Sequence, residues 1–179
     1  MVEPLCFAFA TYLQRKGKPM RLVKQSVAKD DPDPSAISCH GLYPPELNQT
    51  WPRFVDGRPV GGITTRFLNW CSENLEAIGK KVLILIWDNA SWHISHEVRN
   101  WIDEHNREAK KSRRGVRIPS CLLPKQSPWL NSIEPKWIHG KRRVMEADRS
   151  LTAHELVERV CDAFECPHYE PLSIPEKVA

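Results

Sequence analysis

The rhythm of apolar and polar positions changes several times along the chain, and its densest point is the stretch KKVLILIWDNASWH, residues 80–93. Val82, Leu83, Ile84, Leu85 and Ile86 follow one another without a polar break. A short continuous apolar run rich in β-branched residues predicts a strand buried on both faces. Trp87 extends it, and Asp88 then stands where the strand should surface. Asn89, Ala90 and Ser91 read as a turn.

Around this stretch the pattern predicts strands first and helices later. Residues 19–27, PMRLVKQSV, partly alternate and read as a strand. Residues 29–34 carry two prolines and read as a loop. Residues 36–43 and 49–55 predict a hairpin with a longish loop, its second strand pushed toward an edge by Pro52. Thr64 or Thr65 is the expected cap of a helix burying Phe67, Leu68, Cys71, Leu75 and Ile78, ended by Gly79. Ser95 caps a second helix, to about Ala109, with Val98, Trp101, Ile102 and His105 along one face. Residues 116–122 read as a strand and 131–145 as a helix. Thr152 with Glu155 forms a capping box that opens a last helix, with Leu156, Val157, Val160, Cys161 and Phe164 inward. Strands first, then alternating α and β, imply an α/β fold: a mixed sheet, antiparallel strands leading and parallel strands after, with helices on both faces.

Composition narrows the class. A chain of 179 residues, 41% apolar and 27% charged, suits one globular domain. Its 15 prolines gather in residues 30–59 and in 167–179, which predicts a domain over 1–166 followed by a Pro-rich tail. A net charge of +4 permits a polyanionic partner without demanding one. No apolar run is long enough to cross a bilayer, so no membrane partner is expected. The opening MVEPLCFAFATYL lacks a basic n-region and reads as a strand or truncated element rather than a signal peptide. The six cysteines contain no CxxC and several sit in apolar stretches, which points to a reducing, cytoplasmic setting. Cys161, Cys166 and His168 imitate half a zinc site, but no second ligand pair has matching spacing. The order His93-x-x-His96-Glu97 is not that of a zinc protease.

Two stretches carry candidate chemistry. An acid at the carboxyl end of a central strand is where open α/β sheets place their sites, although Asp88 would equally serve to cap a turn. In PKQSPWLNSIEPKW, residues 124–137, the only acid is Glu134. Pro135 after it suits the first turn of a helix, where a carboxylate is favoured by the dipole. Neighbouring parallel strands would bring Asp88 and Glu134 to one rim, and converging carboxylates are what a Mg²⁺ or Mn²⁺ pair needs. A solvated helix acid is the plainer reading of Glu134 alone.

Together the segments WDNASWH and LLPKQSPWLNSIEPKWIHGKRR resemble the catalytic domain of the DDE transposases, and more narrowly the bacterial insertion-sequence branch related to mariner elements. Asp88, Asn89 and His93 match that family's D-N-x-x-x-H segment. Ser127, Pro128, Leu130, Asn131, Ile133 and Glu134 match its S-P-x-L-N-P-I-E segment, with Ser132 where proline is usual. The likeness runs from about Pro19 to Cys166. It implies an RNase H-like fold, DNA as partner, and Mg²⁺ or Mn²⁺ as cofactor. Asp88 and Glu134 would be metal ligands, with Asn89, His93 and Asn131 as accessory residues. Water, and later a DNA 3′-hydroxyl, would attack a phosphodiester. Lys110, Lys111, Arg113 and Arg114, and Lys136, Lys141, Arg142 and Arg143, would then meet phosphates; as plain charge runs they would be solvated helix ends. Trp92, Trp129 and Trp137 would stack bases or fill core. His93 would assist beside the metal or bond a backbone carbonyl.

The sequence departs from the pattern at the family's first acid. Residues 1–17 hold Glu3 and no Asp; Asp30, Asp31 and Asp33 fall in a loop, and Asp56 follows a later strand. The family's N-terminal DNA-binding region has no counterpart, so the expectation is an N-terminally truncated chain that cuts DNA poorly. The competing reading is a non-catalytic remnant that binds nucleic acid or forms a homodimer.

Overall fold

A computed structural model describes residues 5–6, 12–13, 19–20, 36–57, 59–144 and 151–174. Glu3, the loop 29–34 with its three Asp, the rest of the 19–27 strand, Met145 and residues 175–179 lie outside the described residues. Among the described residues the fold is a mixed α/β arrangement of four helices with small antiparallel and parallel sheets.

The hairpin predicted from 36–55 is present. Strand β4 (Ala36–Leu42) pairs antiparallel with β5 (Trp51–Val55), with Cys39 opposite Phe54 and Gly41 opposite Pro52. Pro52 lies on the edge strand of this ladder, as a residue without an N–H must. Leu172, in the Pro-rich tail, bridges to Val55 on that edge. On the other side of β4, strand β1 (Leu5–Cys6) pairs with Ala36 and Ile37. Strands β2 (Tyr12–Leu13) and β3 (Pro19–Met20) form a separate short hairpin.

Helix α1 (Gly61–Ala77) begins three residues before the predicted cap. Val60 takes the N-cap position, and Thr64 is buried, its hydroxyl donating to the Val60 carbonyl. Phe67, Leu68, Cys71 and Leu75 are buried as predicted, but Ile78 lies past the helix end and is 50% exposed. Gly79 follows with φ near +78°, the left-handed turn that ends the helix. Helix α2 (His96–Ser112) is capped by Ser95, whose hydroxyl accepts from the Val98 amide, and buries Val98 and Ile102. Asn106 on α2 bonds both backbone groups of Ile118, at 2.9 and 2.6 Å, pinning the helix to the entry of the next strand. Helix α3 (Glu134–Val144) follows a 3₁₀ turn over Pro128–Leu130. Helix α4 (Ala153–Phe164) opens on the predicted capping box, Thr152 and Glu155 satisfying each other's amides. Such a cap contributes about 1 kcal/mol.

The stretch that anchors the sequence pattern is shorter as a strand, and more open, than predicted. Strand β6 (Leu85–Trp87) runs parallel to β7 (Ser120–Leu122), with an isolated parallel bridge between Val82 and Arg117 ahead of both strands. Leu83, Leu85 and Trp87 are buried, whereas Val82, Ile84 and Ile86 are 42%, 68% and 54% exposed. The expectation of burial on both faces is therefore corrected: helices cover one face and the other fronts a cleft. Among the described residues β6–β7 and β4–β5 are separate ladders rather than one continuous sheet.

Alternation along β4 and β5 divides the core. Leu42 and Val55 face α1 and α2, joining Ile63, Phe67, Leu68, Leu85, Val98, Val116 and Ile118. Cys39 and Phe54 face the other way, against Val144, Leu156, Val160 and Cys161 of α3 and α4. The β4–β5 ladder thus has helices on both faces. Each fully buried aliphatic side chain here contributes about 1.5–3 kcal/mol.

Candidate active site

Asp88 is the first residue beyond β6, so the parallel ladder fixes where its side chain emerges. Its Oδ1 accepts from the Ala90 amide at 3.0 Å and from His93 Nδ1 at 2.8 Å. The turn-capping role open from the sequence is therefore filled, and it coexists with a charged, cleft-facing carboxylate. The His93 hydrogen bond holds the Asp88 pKa down to about 2, with burial opposing and the Ala90 amide assisting. Asp88 is ionised at neutral pH.

His93 donates to this carboxylate rather than to a backbone carbonyl. Its ring stacks on Trp87 at 4.8 Å and meets Trp92 edge-on at 6.0 Å. A third neighbour, His40 of β4, has its ring centroid 6.1 Å away. His40 is 5% exposed and stacks on Phe67, and its Nε2 is buried with no hydrogen-bond partner among the described residues. Burial, then repulsion from His93, lowers its pKa to about 4. The sequence does not flag His40, because a lone histidine in a strand pattern carries no spacing signal.

Asn89 turns away from this chemistry. Its Nδ2 donates to the Leu123 carbonyl at 2.6 Å, and with Leu123 N bonding Trp87 O it ties the ends of β6 and β7 together. Asn131 shapes the approach to α3: its amide bonds Pro128 O, and its carbonyl receives the Glu134 amide at 3.0 Å. Glu134 is the first residue of α3, half-buried, with Pro135 in the following position as the sequence predicts. The helix is seated by Ile133 and Trp137, which close over Gly41 of β4.

These elements enclose a cleft of about 440 Å³ whose lining includes His40, Asp88, His93, Asn131, Glu134 and Lys141. The two acids that the sequence singles out thus open onto one space. The cations behave less uniformly. Lys141 lines the cleft and Arg142 is exposed. Lys136 instead lies 4.6 Å over the Tyr43 ring and 3.4 Å from Asn48 Oδ1, and Arg143 donates to the Ala163 carbonyl. Lys110, Lys111, Arg113 and Arg114 are exposed at the end of α2, outside the cleft lining. Trp92 and Trp137 are packed, the latter edge-on to Phe164 at 5.3 Å, while Trp129 is 75% exposed.

Among the described residues no helix is long and apolar enough to cross a membrane. A family model described as DDE superfamily endonuclease matches residues 55–157, which holds both Asp88 and Glu134. No curated protein matches the chain, and no solved structure does. Endonucleases of this family act on DNA and generally use divalent metals. With more than half its length under that match, the chain belongs to the DDE superfamily endonucleases.

Proposed function

We propose that this chain is the catalytic domain, over residues 1–166, of a DNA transposase from the insertion-sequence branch related to mariner elements, residues 167–179 forming a tail. The observation that carries the reading is the opening of Asp88 and Glu134 onto one cleft from the ends of two different elements. An RNase H-like sheet is favoured by the strand placement. The antiparallel set β1-β4-β5 comes first along the chain and the parallel pair β6–β7 after it, as such a mixed sheet requires.

The donor chemistry suits Mg²⁺ or Mn²⁺: hard cations take oxygen ligands, and Asp88 is charged at neutral pH. When bound, such ions neutralise phosphate charge and activate the attacking oxygen. The chain's own part is positional. His93 and Ala90 both bond Oδ1, which fixes the plane of the Asp88 carboxylate. Ile133 and Trp137 hold the start of α3, and Glu134 with it, against β4. Lys141 places a cation in the cleft for a phosphate. Arg142 and the exposed cations of α2 extend the surface available to DNA.

Among the described residues no three His, Cys, Asp and Glu side chains are grouped to hold a metal ion. Cutting is expected to be weak, because residues 1–17 hold no Asp to serve as the family's first acid, with Mn²⁺ binding retained. Ten times Kd of Mn²⁺ should stabilise the domain by about 1.4 kcal/mol through linkage, seen as a higher melting temperature. Asp88→Asn and Glu134→Gln should each remove most of that gain. An unchanged gain in both variants would remove these acids from the site and favour the non-catalytic, nucleic-acid-binding reading. Vigorous Mg²⁺-dependent nicking of supercoiled DNA, lost in Asp88→Asn, would show that the activity is intact rather than impaired.

A further inference from the structure

The chain contains seven tryptophans, and six of them rest against another aromatic or imidazole ring. Trp129 alone has no ring partner among the described residues, and three-quarters of it is exposed. It is not on a loose tip. Pro128 fixes the backbone before it, and the 3₁₀ turn is closed by Leu130 N on Ser127 O at 3.1 Å and Asn131 N on Pro128 O at 2.9 Å. The same segment sends Ile133 and Trp137 inward onto Gly41. Its apolar residues therefore divide into an anchoring pair, Ile133 and Trp137, and an outward pair, the half-exposed Leu130 and the more exposed, pre-positioned Trp129.

We propose that Trp129 is a stacking platform for an unpaired base of the DNA held at the Asp88–Glu134 cleft. This rests on the endonuclease reading above and adds a contact to it. Every base has a π face, so an indole accepts any of them. Cations on the same segment and on the helix that follows it favour a polyanion: Lys125 and Arg142 are exposed and Lys141 lines the cleft. Trp129 precedes Glu134 by five residues, a reach of at most about 17 Å. One DNA strand advances about 3.4 Å per nucleotide, so that backbone span corresponds to about five nucleotides. A base left unpaired beside the cut has lost a stacking neighbour, and the indole replaces it.

The test is fluorescence anisotropy of the full chain, in buffer with EDTA, on labelled duplexes that are blunt or carry a five-nucleotide single-stranded tail. Trp129→Ala should weaken binding to the tailed duplex by about 5- to 150-fold, with less than about a twofold change on the blunt one. Trp129→Phe should keep most of the tailed affinity. The tailed-to-blunt ratio should persist as salt is raised, because stacking is not ionic. Equal losses on both duplexes, or none, would overturn the proposal while leaving the endonuclease reading in place. So would a Trp129→Ala variant that dissociates a dimer in sedimentation and keeps its preference for tails, since the indole would then belong to a second copy. Failure of the parent chain to bind either duplex overturns the proposal, and, where it persists with Mg²⁺ in place of EDTA, the endonuclease reading with it.

Discussion

Gly41→Ala is expected to destabilise the domain by about 2–3 kcal/mol, although alanine ordinarily suits a strand better than glycine. A Cβ at this position would run into the Trp137 ring, with its Cη2 at 2.9 Å and Ile133 Cδ1 at 3.0 Å. Real Cβ atoms do not approach other atoms so closely, so the indole would have to move. Trp137 cannot retreat freely, because its other side meets Phe164 edge-on at 5.3 Å. The strain passes into α3, whose first residue is Glu134. The substitution should therefore lower the urea midpoint and also reduce the Mn²⁺-dependent gain in melting temperature. Pairing it with Trp137→Phe, which removes ring volume at the collision, should recover part of both. A Gly41→Ala protein within about 0.5 kcal/mol of the parent, below the usual cost of overpacking, would show that the α3 contact on β4 is looser than described.

Acid should weaken the domain in two separable steps, the larger from His40. Burial and the nearby His93 lower its pKa from the usual 6.5 to about 4. Below pH 6.5 the unfolded chain takes up a proton that the folded chain refuses. Stability is therefore full above pH 6.5 and falls as pH drops toward 4, by about 3 kcal/mol in total. That is a large share of the roughly 5–15 kcal/mol that holds a domain together. Asp88 acts lower, its stabilisation present above its usual 3.8 and lost as pH falls through about 2. Replacing His40 by Phe preserves an aromatic ring on Phe67 and removes the buried Nε2 that has no described partner. Urea midpoints at pH 7 and 4.5 should differ for the parent and nearly coincide for His40→Phe. An equal drop in both proteins would assign the acid sensitivity elsewhere.

What the sequence discloses depends on whether a residue's role is local. The Thr152–Glu155 box, the Ser95 cap, the Gly79 stop and the 36–55 hairpin are encoded within a few residues of themselves, and each is found where it is read. The buried side of α1 is legible for the same reason, though its start is not. The chain enters the helix at Gly61 without a side-chain cap, so no cap signal exists to be read. The run at 82–86 misleads because an apolar residue reports affinity for cover, not whether cover is present. Ile84 and Ile86 look as core-like as Leu83 and Leu85 and yet front the cleft. Of the site, Asp88 and Glu134 are marked by position at element ends. The bond between His93 and Asp88 was within reach, since the two lie five residues apart across one turn. His40 was not, because its nearness to His93 depends on how β4 packs against the end of β6. The fate of Lys136, drawn to Tyr43 and Asn48 on the hairpin loop, is equally non-local.

Strand β7 also determines how the molecule can be followed in solution. Cys121 lies at its centre with its side exposed, paired across the ladder with Ile86. Cys39, Cys71 and Cys161 are buried, and burial raises their thiol pKa values; it pushes that of the half-buried Cys166 up to about 12, so all four are held away from the reactive thiolate. Of Cys39, Cys71, Cys121, Cys161 and Cys166, a maleimide dye at neutral pH should attach first at Cys121. A fluorophore there would ride on the ladder that ends at Asp88, and its emission would register an arriving cation or oligonucleotide without any engineered attachment point.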